Sequence, residues 1–279
     1  MRSGFATIVG RPNAGKSTLL NRILGRKVSI VSDKPNTTRS AVRGILHHPD
    51  GQVVFVDTPG LHKPRSLLGK HLNLAARSSL SDVDVAIMVV DAAADVGRGD
   101  AVVASSVPAD AAVVLNKADT VDPGQLEAQR SRLRALGLTG PLMAVSARTG
   151  EGVDTLVQSV LARMPDGPPY YPEHMVSDVG EGEWVAELVR EQLLAVVDDE
   201  LPHAIACQVT EWEWPRVRVE ILVERDSQKG IVIGSRGQVL KAVGTAVRQQ
   251  MDPGAYLELF VRVDKDWQRR SSALARLGL

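Results

Sequence analysis

The densest chemistry in this 279-residue chain lies in Gly10-Arg11-Pro12-Asn13-Ala14-Gly15-Lys16-Ser17. The stretch follows the apolar run Phe5–Val9 and leads into the amphipathic run Thr18–Leu24, so a strand, a turn and a helix start succeed one another. That order makes a phosphate cradle. Gly10 and Gly15 have no Cβ and let the backbone approach an anion. Arg11, Pro12, Asn13 and Ala14 form the turn between them, and the first helical turn, with Thr18, adds unpaired N–H groups and a favourable dipole. Lys16 is placed to reach β- and γ-phosphates, and the Ser17 hydroxyl to sit on Mg²⁺. A nucleoside triphosphate site is implied.

Further polar motifs follow other short apolar runs. Val53–Val56 ends in Asp57-Thr58-Pro59-Gly60, Ala111–Leu115 in Asn116-Lys117-Ala118-Asp119, and Leu142–Val145 in Ser146-Ala147. Ligands of open α/β sheets bind beyond the carboxyl ends of the strands, so these motifs share one rim with the phosphate loop. Asp57 suits Mg²⁺, held through water, and Gly60 leaves a backbone amide open to a γ-phosphate. Asn116-Lys117-Ala118-Asp119 resembles the guanine-reading motif of GTPases. There Asp119 accepts hydrogen bonds from the ring N–H and exocyclic amine of guanine, a donor pair that adenine lacks. A carboxylate left desolvated and unpaired penalises ATP, so GTP is the expected nucleotide. Ser146 and Ala147 resemble the motif in which a backbone N–H meets the guanine carbonyl.

Between Arg26 and Arg43, the polar loop with Pro35-Asn36-Thr37-Thr38-Arg39 reads as a first switch, ordered when a threonine meets Mg²⁺ and the γ-phosphate. Thr38 is the choice and Thr37 the alternative. A second switch is expected from Asp57 through about Leu68, pivoting at Gly60. Lys16, Thr38 and Gly60 are the candidate catalytic residues; Ser17, Thr38 and Asp57 are the candidate metal ligands. Leu61 stands where Ras-type switches place a glutamine that orients the attacking water, and leucine cannot do so. A partner-supplied group or a monovalent cation is the compensation. Asn13 resembles the loop asparagine that positions K⁺ in some GTPases, which predicts slow basal hydrolysis accelerated by K⁺ over Na⁺.

The elements that must carry these residues are legible too. Near-continuous apolar runs, including Val85–Val90, read as buried parallel strands, and the helical segments Leu67–Leu80, Pro123–Leu136 and Val153–Met164 alternate with them. The result is a doubly wound, mostly parallel α/β sheet over residues 1–165. Ala41–His48 is expected to form an antiparallel hairpin with Gln52–Val56, and Gly25 to stop the first helix. Pro165-Asp166-Gly167-Pro168-Pro169-Tyr170-Tyr171-Pro172 opens a proline-rich linker, residues 166–182, whose density of proline favours an extended spacer.

Residues 183–279 read as a smaller α+β domain. Glu183–Val197 is helical, with Val185, Leu188, Val189 and Val196 on one face. Ile205–Val209, Arg216–Glu224 and Tyr256–Val263 are strands. Val239, Leu240, Val243 and Val247 line a second helix, and Asp266–Leu277 is a basic closing helix. Before that second helix lies Gln228-Lys229-Gly230-Ile231-Val232-Ile233-Gly234-Ser235-Arg236-Gly237-Gln238. The order helix-strand-strand-helix-loop-helix-strand resembles a KH domain of the bacterial type, whose GxxG loop clamps about four single-stranded nucleotides. Lys229, Gly230, Ile233, Gly234, Ser235, Arg236, Gly237 and Lys241 are the candidate RNA contacts. Against the common Gly-Lys-Gly-Gly loop, Ser235 replaces the lysine and Arg236 a glycine.

Composition bounds the remaining classes. Residues 1–166 carry 20 Lys and Arg against 15 Asp and Glu, a net of +5, and the rest carries 13 against 18, a net of −5. Neither half is a generic polyanion binder, so any nucleic-acid site is a local patch. Cys207 is the sole cysteine, which excludes a disulfide framework and implies a reducing compartment. The six histidines have no metal-ligand spacing. Met1–Val9 is not a signal peptide, and no run of about 18 apolar residues suggests a spanning helix.

A GTPase with these motifs, a proline-rich linker and a KH-like tail resembles the bacterial Era family. The likeness extends to Asp57-Thr58-Pro59-Gly60-Leu61, Ser227-Gln228-Lys229-Gly230-Ile231 and Lys265-Asp266-Trp267. It implies a cytoplasmic, monomeric GTP/GDP switch that binds 16S rRNA near its 3′ end. It also implies a role in 30S ribosomal subunit assembly and contact with the inner face of the cell membrane. An alternative of another class remains open at this point: an RNA-binding protein that keeps GTP as a structural ligand with negligible turnover.

Overall fold

The order of strands in the larger sheet explains why the polar motifs meet. In the computed structural model, which describes residues 1–61, 66–81, 83–197 and 201–279, the chain forms two compact units, one of Met1–Arg65 and Gly69–Asp178, the other of Ser66–Leu68 and Val179–Leu279. Strands β1 (Arg2–Gly10), β2 (Val42–His48), β3 (Gly51–Asp57), β4 (Val85–Asp91), β5 (Ala112–Asn116) and β6 (Leu142–Ala144) build a six-stranded sheet ordered β2-β3-β1-β4-β5-β6. All neighbours are parallel except β2 and β3, which form the expected hairpin. The chain leaves β1 on one side for β3 and on the other for β4, so the order reverses at β1. A crevice at such a reversal is where α/β sheets hold ligands.

Helices α1 (Lys16–Leu24), α2 (Leu67–Ser78), α3 (Arg98–Ala104), α4 (Pro123–Ala135) and α5 (Val153–Leu161) connect the strands. Both faces of the sheet are buried, as the unbroken apolar runs imply. In β4, Val85, Ile87 and Val89 join the core containing Leu19, Leu20, Leu156 and Val160, while Met88 and Val90 join the opposite core containing Val103, Leu115 and Leu133. Gly25 ends α1 in the left-handed region (φ 63). Asp122 caps α4 by accepting from the Gly124 and Gln125 amides at 2.8 and 3.0 Å, with Pro123 in the first turn. Helix α3 has no counterpart in the sequence reading, because Arg98-Gly99-Asp100 breaks any apolar stripe at its start.

The proline-rich segment is fastened to the first unit through Asp178. Ser3 N–H donates to Pro165 O at 2.9 Å and Ile45 N–H to Val176 O at 2.8 Å. Buried Gln52 clasps the middle: its Oε1 accepts from the Tyr170 and Tyr171 amides at 2.7 and 3.0 Å, and its Nε2 donates to Tyr171 O at 2.8 Å. Tyr170 also meets Phe5 edge-to-face, with ring centroids 4.8 Å apart. The segment thus runs along β2, the edge strand, and occupies hydrogen-bonding groups that an open edge exposes.

The second unit contains α6 (Glu181–Leu194), α7 (Leu201–Ala204), β7 (Ala206–Glu213), β8 (Arg216–Val223), α8 (Asp226–Ile233), α9 (Gln238–Arg248), β9 (Tyr256–Val263) and α10 (Ser271–Arg276). Its sheet is ordered β7-β8-β9, antiparallel then parallel. Val217, Val219, Ile221 and Val223 alternate inward against Val185, Leu188, Val189, Val243 and Val247. Val196, expected on the buried face, lies past the end of α6 and is 54% exposed. The closing helix is also shorter than expected. Asp266 at φ 54 and extended Arg270 confine it to a 3₁₀ turn, Trp267–Arg269, followed by α10. Trp267 is fully buried and donates from Nε1 to Ala204 O at 2.9 Å.

Candidate functional site

At the end of β1 the chain turns through Asn13 (φ 63) and Gly15 (φ 88) into α1. Gly15 is required twice over: the conformation is left-handed, and a Cβ there would strike Asn116 Nδ2. Lys16 is buried and its Nζ donates to Arg11 O at 3.0 Å. Burial pushes its ammonium below the ordinary range, and the nearby Asp57 charge opposes that shift. Arg11 extends to Asp100 on α3 at 3.0 Å. Asn13 Nδ2 donates to Asp33 O at 2.6 Å, joining the phosphate loop to the first switch.

The end of β3 adds an oxygen cluster. Asp57 is fully buried, and its Oδ2 accepts from Ser17 Oγ at 2.6 Å, Ser29 Oγ at 3.0 Å and Thr38 Oγ1 at 3.4 Å. Ser17 and Thr38 hydroxyls are 3.0 Å apart. Asp57 Oδ1 has no hydrogen-bond partner among the described residues. Burial raises the Asp57 carboxyl above its ordinary range, opposed first by Lys16 and then by the hydroxyls. Thr38 is therefore the threonine that meets Asp57, whereas Thr37 Oγ1 donates to Lys34 O at 2.6 Å. Ser29 was not identified from the sequence; a small polar residue inside an apolar stretch carries no distinguishing signal.

The rest of the turn after β3 shapes the site from behind. Thr58 Oγ1 donates to Ile8 O at 2.8 Å, and Pro59 is buried beside it. A Cβ on Gly60 would lie 2.7 Å from Pro12 N, so only glycine fits against the phosphate loop. Leu61 N–H donates to Gly10 O at 3.1 Å, and its side chain packs in the core with Val9 and Met88. Residues 62–65 of the expected second switch lie outside the described residues.

A cavity of about 410 Å³ runs along these groups, walled by Asn13, Lys16, Ser17, Thr38, Gly60 and Lys117 among others. Thr18 also lines it. Gly10, Arg11 and Ala14 belong to the same loop but do not line the cavity, and Asp119, Ser146 and Ala147 stand past the ends of β5 and β6, beyond its walls.

Asn116 ties those ends together. Its Nδ2 donates to Ala14 O at 2.9 Å and its Oδ1 accepts from Ala147 N–H at 3.0 Å, so both of its polar atoms hold loops in place. Lys117 turns at φ 64 and reaches Asp91 Oδ2 at 2.5 Å. The Ser146 hydroxyl and then Arg148 hold the Asp119 carboxyl below its ordinary range. Arg148 is a further residue absent from the sequence reading.

In the second unit the turn between α8 and α9 passes through Gly234 (φ 72), Arg236 (φ 50) and Gly237 (φ 77). Ser235, Arg236, Gly230 and Lys241 are exposed, Lys229 is half-buried, and Ile233 packs partly against the core. Arg236 holds a left-handed conformation that costs a non-glycine residue about 1–2 kcal/mol. Tyr256 and Phe260 on β9 are exposed apolar rings that the strand pattern did not single out. The outward face of the sheet carries paired charges, including Arg218 with Glu258 at 2.9 Å and Arg262 with Glu220 at 2.9 Å.

Comparison with known proteins gives a consistent set. A family model described as 50S ribosome-binding GTPase matches residues 5–117, and one described as KH domain matches residues 200–268. The chain is 45% identical over 292 residues to GTPase Era of Geobacter sp. (strain M21), covering 99% of this chain and 97% of that protein. It is 40% identical over 290 residues to GTPase Era of Heliobacterium modesticaldum, covering 100% and 97%. A crystal structure of an Aquifex aeolicus Era variant bound to GDP and AlF4⁻ superposes with a TM-score of 0.94 at 34% identity, covering 100% of this chain and 99% of that one. The same figures hold for an Era crystal structure in complex with MgGDPNP and nucleotides 1506–1542 of 16S ribosomal RNA.

Proposed function

This chain belongs to the Era family of GTPases, with a GTPase domain and a C-terminal RNA-binding KH domain, and from that premise we propose that it is a switch that binds 16S rRNA near its 3′ end in its GTP-loaded form and assists 30S subunit assembly. It is a GTP-hydrolysing enzyme, which sets aside the alternative of a purely structural nucleotide. The observation that carries the RNA reading is the full-length match to an Era solved with both MgGDPNP and nucleotides 1506–1542. We divide the chain into a GTPase domain over 1–165, a linker over 166–182 and a KH-type domain over 183–279. It is read as a cytoplasmic monomer with peripheral contact at the membrane's inner face; no helix among the described residues is long and apolar enough to cross a membrane.

The donor set at Asp57 fits Mg²⁺. It is all oxygen, it gathers Ser17 and Thr38 on one carboxylate, and it leaves Asp57 Oδ1 without a partner in a buried position, where an unsatisfied charge is costly. When bound, the ion neutralises charge on the β- and γ-phosphates. Lys16 sits in low-dielectric surroundings, so its charge acts strongly on the phosphates, and the amides of Gly10 to Thr18 and of Gly60 add oriented donors. Thr38 links the first switch to the γ-phosphate. Asp119 takes the guanine donors, with Lys117 beside the base and the Ala147 N–H near the guanine carbonyl; Asn116 holds these loops in register. Positioning and charge stabilisation carry the reaction, because Leu61 in the core has no group to orient water. Asn13, already bonded to Asp33 of the first switch, is our candidate for placing K⁺ near the phosphates.

In the KH domain, Lys229, Gly230, Ile233, Gly234, Ser235, Arg236, Gly237 and Lys241 clamp the unpaired ribonucleotides. The test is binding of a 16S 3′-end fragment by the full chain loaded with GDPNP or with GDP. Tight binding with GDPNP and weaker binding with GDP is expected; equal affinity in both states removes the switch. Phosphate release measured in K⁺ and Na⁺ tests the cation: faster turnover in K⁺, abolished by Asn13→Ala, supports it, and equal rates refute it.

A further inference from the structure

Arg148 places its guanidinium 2.5 Å from Asp119 Oδ2. Resting on the reading of Asp119 as the guanine-recognising carboxylate, we propose that Arg148 is an intramolecular stand-in for the base. Its N–H donors and those of guanine compete for one carboxylate, and this competition sets how readily the nucleotide enters.

The chemistry of the two donors matches. Guanine offers its ring N–H and exocyclic amine side by side, and a guanidinium presents N–H groups in a planar fork that fits a carboxylate in the same way. Both cannot occupy that edge together. The surroundings hold the acceptor still and leave the competitor able to move. The Asp119 side chain is 10% exposed, whereas that of Arg148 is 77% exposed.

The backbone beneath Arg148 is clamped from several sides. Ala147 N–H donates to Asn116 Oδ1 at 3.0 Å, and Ala147 O accepts from Arg22 Nε at 2.9 Å. Arg22 Nη2 also donates to the Arg148 carbonyl. Gly150 N–H closes the turn onto Ser146 O at 2.8 Å, and Thr149 N–H onto Ser146 Oγ at 3.0 Å. Departure of the arginine is therefore a side-chain rotation into water, on the nanosecond scale or faster, with no loop rearrangement. Opening that fast means guanine meets a site whose competent fraction is fixed by the ion pair, so apparent affinity falls by that fraction. The effect lies in the association rate, because the pair is already broken in the bound complex. Arg22 acts through the backbone and is a positioning residue in this arrangement.

The experiment is binding of fluorescently labelled GDP to full-length protein, by equilibrium titration and stopped flow, for wild type and Arg148→Ala. An ion pair with one exposed partner contributes modestly, so Arg148→Ala is expected to bind GDP about two- to fivefold more tightly. The gain should appear in association with dissociation unchanged, and shrink as salt screens the pair. Weaker or unchanged binding in Arg148→Ala overturns the proposal, as does a gain residing wholly in dissociation. Asp119→Asn separates the premise from the inference. If Asp119 reads guanine, that variant loses GDP and gains xanthosine diphosphate, and adding Arg148→Ala to it brings no further gain. A variant that keeps its guanine preference refutes the reading of Asp119. A gain from Arg148→Ala that persists in the Asp119→Asn background refutes the stand-in alone.

Discussion

Replacing Gln52 by alanine tests whether the proline-rich segment is held by a few specific bonds or by general packing. Gln52 is 1% exposed and supplies three hydrogen bonds to Tyr170 and Tyr171, at 2.7, 3.0 and 2.8 Å. Truncation leaves two amides and one carbonyl of the segment without those partners. Each bond contributes about 1 kcal/mol net, and these groups lie near enough to water to be partly rehydrated, so local opening at Tyr170 and Tyr171 should become easier by about 2 kcal/mol. That corresponds to roughly thirtyfold faster amide exchange at the two residues. Three flanking anchors do not involve Gln52: Ile45 N–H to Val176 O and Arg43 to Asp178, both at 2.8 Å, and Ser3 N–H to Pro165 O at 2.9 Å; the His47 contact to Met175 O at 2.8 Å is tied to it, through a 3.3 Å bond. Exchange at Val176–Asp178 should therefore change little, and basal GTP hydrolysis should be retained. Hydrogen-deuterium exchange of the intact chain reads both sites in one measurement. Unchanged protection at Tyr170 and Tyr171 refutes the clasp; equal loss along the whole segment refutes the independence of its anchors.

Leu61→Gln should not restore a Ras-like water contact, since the side chain would enter the core beside Val9 and Met88; thermal unfolding should show a loss of about 2 kcal/mol with no gain in kcat, and a tenfold faster enzyme would contradict its burial. Ser29→Ala removes a 3.0 Å bond to Asp57 Oδ2, and supporting partners of metal ligands commonly set affinity, so half-maximal hydrolysis should need about tenfold more Mg²⁺; an unchanged Mg²⁺ curve would show that Ser29 only fills space. The Asp119 carboxyl is held below its ordinary value of 3.8, so its contribution is present above that value and lost as pH falls through the lower folded value. Labelled-GDP affinity should therefore show no Asp119 titration between neutrality and about pH 5, and a midpoint in that window that vanishes in Asp119→Asn would refute the assignment.

Gly10 to Ser17, Asp57 to Gly60 and Asn116 to Asp119 were legible in the amino-acid order because each motif is a run of neighbouring residues directly after an apolar strand. Spacing along the chain then equals spacing in the site, and the rule that ligands collect at strand ends brings the runs together. The KH-type order of elements was legible for a similar reason: Val217, Val219, Ile221 and Val223 announce a half-buried strand by their period of two. Tertiary structure alone decided the contacts between distant short polar side chains. It chose Thr38 over Thr37 at Asp57, brought Ser29 to the same carboxylate, set Arg148 against Asp119 and buried Leu61. It also fastened a segment that composition describes as a spacer onto the sheet, along β2 through Ile45 and onto β3 through Gln52, 118 positions from its partner Tyr170. Hydrophobic periodicity is written along the chain because burial acts on whole faces of an element. A single hydrogen bond acts between two atoms, leaves no repeating trace in sequence, and exists only once the faces have packed.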